Sequence, residues 1–242
     1  MSPVALVLVH GGQHTARCWD PTVAELARQA PHVKALAVDL PGRGSTPGDL
    51  AVLTIGQCVD SVVADIEAAG LDQVVLVGHS MAGLTVPGVA ARLGPERVRR
   101  LVMVACCVPP QGQTIVDTLA GPFRLMAARA AKAGKPAKPM PKLMADLMFC
   151  NGMTAQQKAF VHGQLCGEAS SITAEPVDRS GLSAAIPRTW VLPLRDRSLR
   201  PASQRRYMQN LGGVEDVVEI DACHDVMVSH PAELAAALAE RC

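Results

Sequence analysis

The residue with the clearest chemical potential is Ser80, in the string Gly78-His79-Ser80-Met81-Ala82-Gly83. This string follows the apolar run Val74–Val77 and precedes a stretch compatible with a helix. A serine on a sharp strand-to-helix turn projects its hydroxyl above the sheet edge, where it can act as a nucleophile. Such a turn is strained and needs small neighbours, which Gly78 and Ala82 supply. The pattern therefore predicts that Ser80 is a nucleophile.

A serine hydroxyl needs a base to take its proton and an acid to orient that base. On a fold with this turn, the chain order is serine, acid, histidine. His224 follows the last apolar run, Val214–Ile220, and we predict that it is the base. The other six histidines have different expected places: turn motifs (His10, His79), the neighbourhood of the first turn (His14), the surface (His32), the inserted segment described below (His162) and the start of the terminal helix (His230).

The predicted acid is Asp196, which follows the apolar run Thr189–Leu194. One alternative is that Asp196 is a surface carboxylate paired with Arg195 or Arg197. A second alternative is that Asp225 orients the histidine, although its closeness to His224 in sequence disfavours this.

Acyl transfer through a serine also requires hydrogen-bond donors for the oxyanion. We expect one donor to be the backbone N–H of Met81, at the start of the helix. The string His10-Gly11-Gly12 follows the first apolar run, and its glycines allow close approach of the backbone to a substrate. We predict that the Gly12 N–H is the second donor. The alternative for this string is a tight turn without a ligand.

Alternating strand and helix patterns surround these motifs and predict an α/β fold with a mostly parallel sheet and helices on both faces. The predicted strands are Ala5–Val9, Val33–Val38, Val74–Val77, Val98–Ala105, Thr189–Leu194 and Val214–Ile220. The predicted helices are Asp20–Gln29, Ile55–Ala69, Ala82–Leu93, Ala202–Leu211 and Ala232–Arg241.

Residues 108–185 interrupt this alternation with a proline-rich, irregular helical pattern. The segment is too long for a simple connection between two strands. We interpret it as an inserted helical cap over the carboxyl edge of the sheet, where open α/β sheets bind ligands. The expected organisation is a core of residues 1–107 and 186–242 with the cap, or lid, between them.

Composition limits the classes of function. The chain has 242 residues and a net charge of +1, which gives no strong preference for nucleic acid or for a membrane surface. It has no apolar run near the length of a membrane span and no secretory leader pattern. Its eight cysteines form no zinc-type spacing, so we expect buried thiols in a reducing cytoplasm. We predict no metal and no organic cofactor.

Together these motifs make the sequence resemble the α/β-hydrolase fold superfamily over nearly the whole chain. Within it, the chain looks most like the small esterase group that includes plant methylesterases and hydroxynitrile lyases. The residues that carry the resemblance are His10-Gly11-Gly12, Trp19, Asp39-Leu40-Pro41-Gly42-Arg43-Gly44-Ser45, the Ser80 turn, Asp196 with Gln204, and His224 before Ser229-His230-Pro231.

Two positions depart from the lyases of this group. Those lyases are expected to carry a lysine after the catalytic histidine and a threonine in the first turn, where this chain has Asp225 and Gly12. An anion thus replaces the group that stabilises cyanide, so the resemblance favours ester hydrolysis. Near the pocket, Asp225 would suit a cationic or hydroxylated substrate; its alternative is a solvated loop carboxylate. The residues that we expect in the substrate pocket are Gly11, His14, His79, Asp225 and Met148.

The resemblance thus predicts a cofactor-independent serine hydrolase that cleaves a small to medium carboxylic ester. Alternatives on the same residues are lactone or thioester hydrolysis and a lyase or cyclase reaction. A more distant alternative is a ligand-binding protein without activity. Six cations in the cap could form a docking surface for acyl carrier protein or coenzyme A, or a solvated lid face: Arg124, Arg129, Lys132, Lys135, Lys138 and Lys142.

Overall fold

The computed structural model describes residues 4–119 and 121–242, without the side chains of residues 122 and 123. Six strands form one parallel sheet in the order β2-β1-β3-β4-β5-β6. The strands are β1 (Ala5–Val9), β2 (Lys34–Val38), β3 (Val74–His79), β4 (Val98–Val104), β5 (Arg188–Pro193) and β6 (Asp216–Ile220). The strand order reverses between β1 and β3, which is where open α/β sheets form a ligand crevice.

The helices of the described residues are α1 (Asp20–Gln29), α2 (Ile55–Ala68), α3 (Val86–Leu93), α4 (Ile115–Thr118), α5 (Gly121–Lys132), α6 (Lys142–Met148), α7 (Ala155–His162), α8 (Pro201–Asn210), α9 (Val226–Ser229) and α10 (Pro231–Ala239). Short 3-10 turns cover Ala16–Trp19, Ser80–Leu84 and Ser171–Ala174. Within these ranges no helix is both long enough and apolar enough to cross a membrane.

Both faces of the sheet are buried, which explains why its central strands are continuous apolar runs. In β1, Leu6 and Leu8 pack into one core while Val7 and Val9 pack into the other. Helices α2, α3 and α8 cover the valine side of β1, and α1, α9 and α10 cover the leucine side. The α/β architecture expected from the sequence is confirmed.

Helix α3 begins later than expected. The sequence predicts a helix over Ala82–Leu93, but Ser80–Leu84 is a 3-10 turn and α3 starts at Val86. The physical reason is Pro87, which has no backbone N–H to donate to the Gly83 carbonyl, so that it is accommodated in the first turn of α3 and not inside a longer helix. The other strand and helix ends differ from prediction by a few residues.

The segment between β4 and β5 contains α4 to α7 and one of the 3-10 turns. Its buried side chains divide between the two cores: Ala145, Phe149 and Val161 belong to the leucine-side core, and Ala169 and Ile172 belong to the valine-side core. Several of its apolar side chains remain exposed, among them Leu125, Leu143 and Leu147. The segment therefore packs on the core through some of its helices and presents apolar surface elsewhere.

Candidate active site

The turn after β3 holds Ser80 in a conformation that few residues adopt. Its φ of 52° is left-handed, and its side chain is only half-buried. The turn is surrounded closely: a Cβ on Gly78 would lie 2.8 Å from the side chain of Val86, and one on Gly83 would collide with the carbonyl of Cys107. These contacts explain the small residues around Ser80.

Ser80, His224 and Asp196 follow three different strands and meet at the carboxyl edge of the sheet. The Ser80 Oγ lies 2.9 Å from Nε2 of His224, and Nδ1 of His224 lies 2.8 Å from Oδ2 of Asp196. Because a carboxylate only accepts, Nδ1 carries the hydrogen and Nε2 is free to accept from the serine hydroxyl. His224 and Asp196 are buried.

Asp196 is held by four donors. Its Oδ1 accepts from the backbone N–H groups of Ser198 and Leu199, each at 2.8 Å, and its Oδ2 accepts from Gln204 Nε2 at 2.8 Å as well as from His224. The alternative of a surface carboxylate paired with a neighbouring arginine is wrong, because Asp196 is buried and the nearby Arg195 pairs with Asp221 instead.

Gln204 is itself fixed by a buried tryptophan. Its Oε1 accepts a hydrogen bond of 2.9 Å from Nε1 of Trp190 in β5, and both side chains are fully buried. This bond assigns the orientation of the Gln204 amide, so that the NH2 group faces Asp196. A chain of contacts thus runs from the core to the Ser80 hydroxyl.

Two opposing effects act on the pKa of His224. Burial alone would lower it, but the charge of Asp196 and the hydrogen bond to it outweigh burial, and the pKa lies above its ordinary value. The carboxylate of Asp225 acts in the same direction, whereas His14 opposes it. The site therefore stabilises an imidazolium at His224.

The turn after β1 approaches Ser80 closely. A Cβ on Gly11 would lie 2.8 Å from the Cβ of Ser80, and one on Gly12 would lie 2.5 Å from Sδ of Met81. Among the described residues, the Gly12 N–H has no hydrogen-bond acceptor. This N–H is therefore available to a ligand beside Ser80.

A cavity of about 360 Å³ opens above Ser80. Its wall combines residues of the core with residues of the segment between β4 and β5, and it is mainly apolar. The lining residues are Gly12, Gln13, Ser80, Met81, Cys107, Ile115, Ala127, Ala130, Ala137, Met140, Phe149, Glu168, Ser170, Thr173, Ser198 and Leu199.

None of the five residues expected in the substrate pocket lines this cavity: Gly11, His14, His79, Asp225 and Met148. Met148 packs partly buried against the leucine-side core, and the other four residues are buried. The physical reason is that closeness in sequence to a site residue does not set the direction of a side chain.

Asp225 is neither a pocket residue nor a solvated loop carboxylate. It is fully buried, and its Oδ2 lies 2.9 Å from Nε2 of His14. Burial would raise the pKa of Asp225, but the charge of His14 and the hydrogen bond to it lower that pKa. Burial would lower the pKa of His14, but Asp225 raises it. The two residues therefore form a buried ion pair.

Among the described residues, His79, His224 and Asp225 could offer ligand atoms to a metal, since these atoms lie within 4.8 Å of one another. However, both nitrogens of His224 already face Ser80 and Asp196. The Nε2 of His79 faces the carbonyl of His224 at 3.2 Å, where its N–H donates. The arrangement thus suits a hydrogen-bond network better than metal coordination.

Sequence reasoning missed Gln13 and Glu168 at the cavity wall. Glu168 lies in a loop with no motif around it, and only its position beside the first turn in three dimensions reveals it. Gln13 follows the Gly11-Gly12 pair directly and has a φ of 62°. Its position directly after this glycine pair was the sequence signal that could have identified it as a residue of the site.

The sequence and the fold are similar to those of known proteins. A sequence model described as "Alpha/beta hydrolase family" matches residues 6–237, so the chain belongs to the alpha/beta hydrolase family. A carbendazim hydrolyzing esterase of Nocardioides sp. (strain SG-4G) is 31% identical to this protein, and the match covers 96% of this chain and 97% of the esterase. Methylesterase 7 of Arabidopsis thaliana is 29% identical, and the match covers 97% of this chain and 94% of the methylesterase.

These relatives span nearly the whole chain and are esterases, which identifies the protein as an enzyme of the carboxylic ester hydrolase type. A solved extracellular α/β-hydrolase from a Paenibacillus species has a TM-score of 0.85, with 23% identity and 99% of both chains covered. At this identity the likeness shows the fold alone.

Proposed function

We propose that this enzyme is a serine hydrolase that cleaves a small to medium carboxylic ester through an acyl-enzyme. The observation that carries the proposal is the continuous hydrogen-bond path from Ser80 through His224 to Asp196, with distances of 2.9 Å and 2.8 Å. The esterase relatives support the reaction class. The apolar cavity of about 360 Å³ above Ser80 supports a substrate of modest size.

In the proposed first half-reaction, Ser80 Oγ attacks the ester carbonyl while Nε2 of His224 accepts the serine proton. Asp196 orients His224 and stabilises the imidazolium that forms. The N–H groups of Gly12 and Met81 donate to the oxyanion. His224 then gives its proton to the departing alkoxide, and the acyl group stays on Ser80.

In the second half-reaction, water takes the place of the alcohol. His224 accepts a proton from the water as it attacks the acyl carbonyl, and the same two N–H groups hold the second oxyanion. Collapse of this intermediate breaks the bond to Ser80 Oγ, which regains its proton from His224. The carboxylic acid leaves and the enzyme is restored.

We further propose that residues 108–185 act as a cap, with residues 1–107 and 186–242 forming the hydrolase core. The support is that nine of the sixteen residues that line the cavity, including Ala127, Met140 and Glu168, come from this segment. We also propose a cytoplasmic location, because all eight cysteines are free thiols and most of them are buried.

Thioester hydrolysis is the second candidate, and one observation favours it. Lys132, Lys135 and Lys138 are exposed, and each lies within two residues in sequence of a cavity residue: Ala130, Ala137 or Met140. Cations at the rim of a cavity would attract the phosphates of an acyl-coenzyme A, while the acyl chain entered the apolar interior.

The test is turnover of p-nitrophenyl esters of increasing acyl length, and of the matching acyl-coenzyme A thioesters, by wild type and Ser80→Ala. We expect ester turnover with an optimum at short to medium chains, and loss of at least about 10³-fold in the variant. Labelling by a fluorophosphonate probe should disappear with it.

Each outcome separates the candidates. Better turnover of thioesters than of esters with the same acyl group would move the assignment to a thioesterase. Equal turnover by wild type and Ser80→Ala would contradict the nucleophile. Labelling of wild type without turnover of any ester or thioester would point to a different reaction on the same serine.

A further inference from the structure

The oxyanion turn, residues 10–13, is held by groups that the proposed reaction does not itself use. We propose that two buried ion pairs, His14–Asp225 and Arg43–Glu168, position this turn by binding opposite ends of the Gly12–Gln13 peptide. These four are positioning residues, and the inference rests on the proposed function because it concerns the oxyanion donor of that reaction.

The carbonyl end of the peptide is bound by His14. Its Nδ1 lies 2.7 Å from the Gly12 carbonyl oxygen, and its Nε2 lies 2.9 Å from Asp225 Oδ2. Both partners are acceptors, so His14 donates from both nitrogens as an imidazolium. The side chains of His14 and Asp225 are 1% and 0% exposed, which leaves water no access to compete for these bonds.

The N–H end of the same peptide is bound by Glu168. The Gln13 N–H donates to Glu168 Oε2 at 2.8 Å, and Glu168 Oε1 accepts from Arg43 and from the backbone N–H of Ala169. Arg43 also donates to the carbonyl of Pro41 at 2.8 Å. Arg43 neutralises the buried carboxylate, which limits its repulsion of an oxyanion nearby.

The conformation of Gln13 explains why such a clamp is needed. Its φ is 62°, a left-handed value that a side chain other than glycine disfavours. The peptide before Gln13 would therefore tend to rotate away, and with it the neighbouring Gly12. Fixing the oxygen and the hydrogen of one peptide plane removes this freedom.

The two ion pairs connect the turn to different parts of the molecule. Asp225 is the residue after His224, so the first pair ties the turn to the loop of the proposed base. Glu168 lies in the segment between β4 and β5, as does Cys166, whose N–H donates to the Gln13 carbonyl at 3.0 Å. The turn is thus placed relative to both the base and the cavity wall.

The test compares an ester with its thionoester, in which sulfur replaces the carbonyl oxygen. Sulfur accepts hydrogen bonds weakly, so the thionoester gains little from the oxyanion donors. The variants Asp225→Asn and Glu168→Gln keep the shape of each side chain and remove its charge. For both we expect kcat/KM of the ester to fall about 10-fold or more and that of the thionoester to fall less, so that the ratio between them shrinks.

Asp225→Asn supplies a second readout, because Asp225 does not line the cavity. The loss for the ester should lie in kcat, with KM within about twofold of wild type. Asp146→Asn is the matched control: Asp146 pairs with His162 at 2.9 Å, outside the oxyanion turn, and its removal should leave the ratio unchanged.

In either variant, an equal fall for ester and thionoester, or no fall for either substrate, would overturn the inference while wild type kept its Ser80-dependent turnover. Absence of Ser80-dependent ester turnover in wild type would instead overturn the proposed function, and the inference with it. Because the two variants lie in separate ion pairs and are isosteric, either one that folds is sufficient for the decision.

Discussion

Asp196 is the residue whose surroundings define the electrostatics of the site. It is buried, yet four hydrogen bonds satisfy its two oxygens. An ionised Asp196 raises the pKa of His224, which stabilises the imidazolium that the proposed mechanism requires. The Trp190–Gln204 contact holds this carboxylate in place from the core side.

At this scale, the first prediction concerns Asp196→Asn. The amide removes the negative charge, so the pKa of His224 should fall. Because His224 acts as a base only when neutral, the acidic limb of the pH–rate profile should move to lower pH, while kcat falls by about 10⁴-fold. The measurement is the pH dependence of ester hydrolysis.

Asp221→Asn is the control for this experiment, since Asp221 pairs with Arg195 in an exposed position. It should leave both kcat and the acidic limb unchanged. An Asp196→Asn enzyme whose acidic limb stays in place or moves to higher pH would contradict the assignment of Asp196 as the partner of His224.

At the scale of elements, the turn between β3 and α3 is the most constrained part of the chain. Its 3-10 conformation and the positive φ of Ser80 persist because neighbouring backbone packs against it, including the Cys107 N–H, which donates to the Ser80 carbonyl at 2.9 Å. The loop after β4 therefore supports the turn after β3.

Substitution of Gly83 tests this packing. In Gly83→Ala, the new Cβ would meet the Cys107 carbonyl, a backbone atom that cannot move aside without shifting the loop. We expect the free energy of unfolding to fall by about 1–3 kcal/mol. The measurement is urea unfolding followed by circular dichroism.

Gly56→Ala is a suitable comparison because Gly56 is in α2 and a Cβ added there would lie 3.8 Å from Thr54 Oγ1, an ordinary contact distance. This substitution should raise the free energy of unfolding by about 0.5–1 kcal/mol, since alanine favours helix. Equal effects of the two substitutions would show that the turn tolerates a Cβ.

At the scale of the whole molecule, the cavity exists only where the core and the segment between β4 and β5 meet. The core contributes Ser80 and the oxyanion turn, whereas the inserted segment contributes small side chains such as Ala127 and Ala130. Small side chains leave space, so the inserted segment is expected to set the size of the accepted acyl group.

Ala127→Leu tests this expectation. The larger side chain adds three carbon atoms to the cavity wall, so the preferred acyl chain should become about two to three carbons shorter. For the longest ester that wild type accepts, kcat/KM should fall by about 10-fold or more. The rate of fluorophosphonate labelling should change little, since Ser80 is untouched.

Ala128→Leu provides the control on the same helix, because Ala128 is exposed and does not line the cavity. It should leave the preferred chain length as in wild type. The same chain-length profile in Ala127→Leu and wild type would mean that the acyl group occupies a different part of the protein.

The fold class could be predicted from the sequence, because strands buried on both faces are apolar runs and their alternation with helices indicates a parallel sheet. The same patterns predicted that Ser80, Asp196 and His224 follow strands whose carboxyl ends share one edge. These are local patterns, readable within short windows of the chain. The ends of the strands and the 3-10 turn could not be predicted in this way, because they depend on packing.

The carboxylate that faces the cavity is known only from the folded structure. Asp225 is next to His224 in sequence, yet it is directed into a buried pair with His14, 211 residues away. Glu168 has no neighbouring motif, yet it lines the cavity and binds the Gln13 N–H, 155 residues away. The direction of each side chain is set by partners that folding brings together, and spacing along the chain does not encode them.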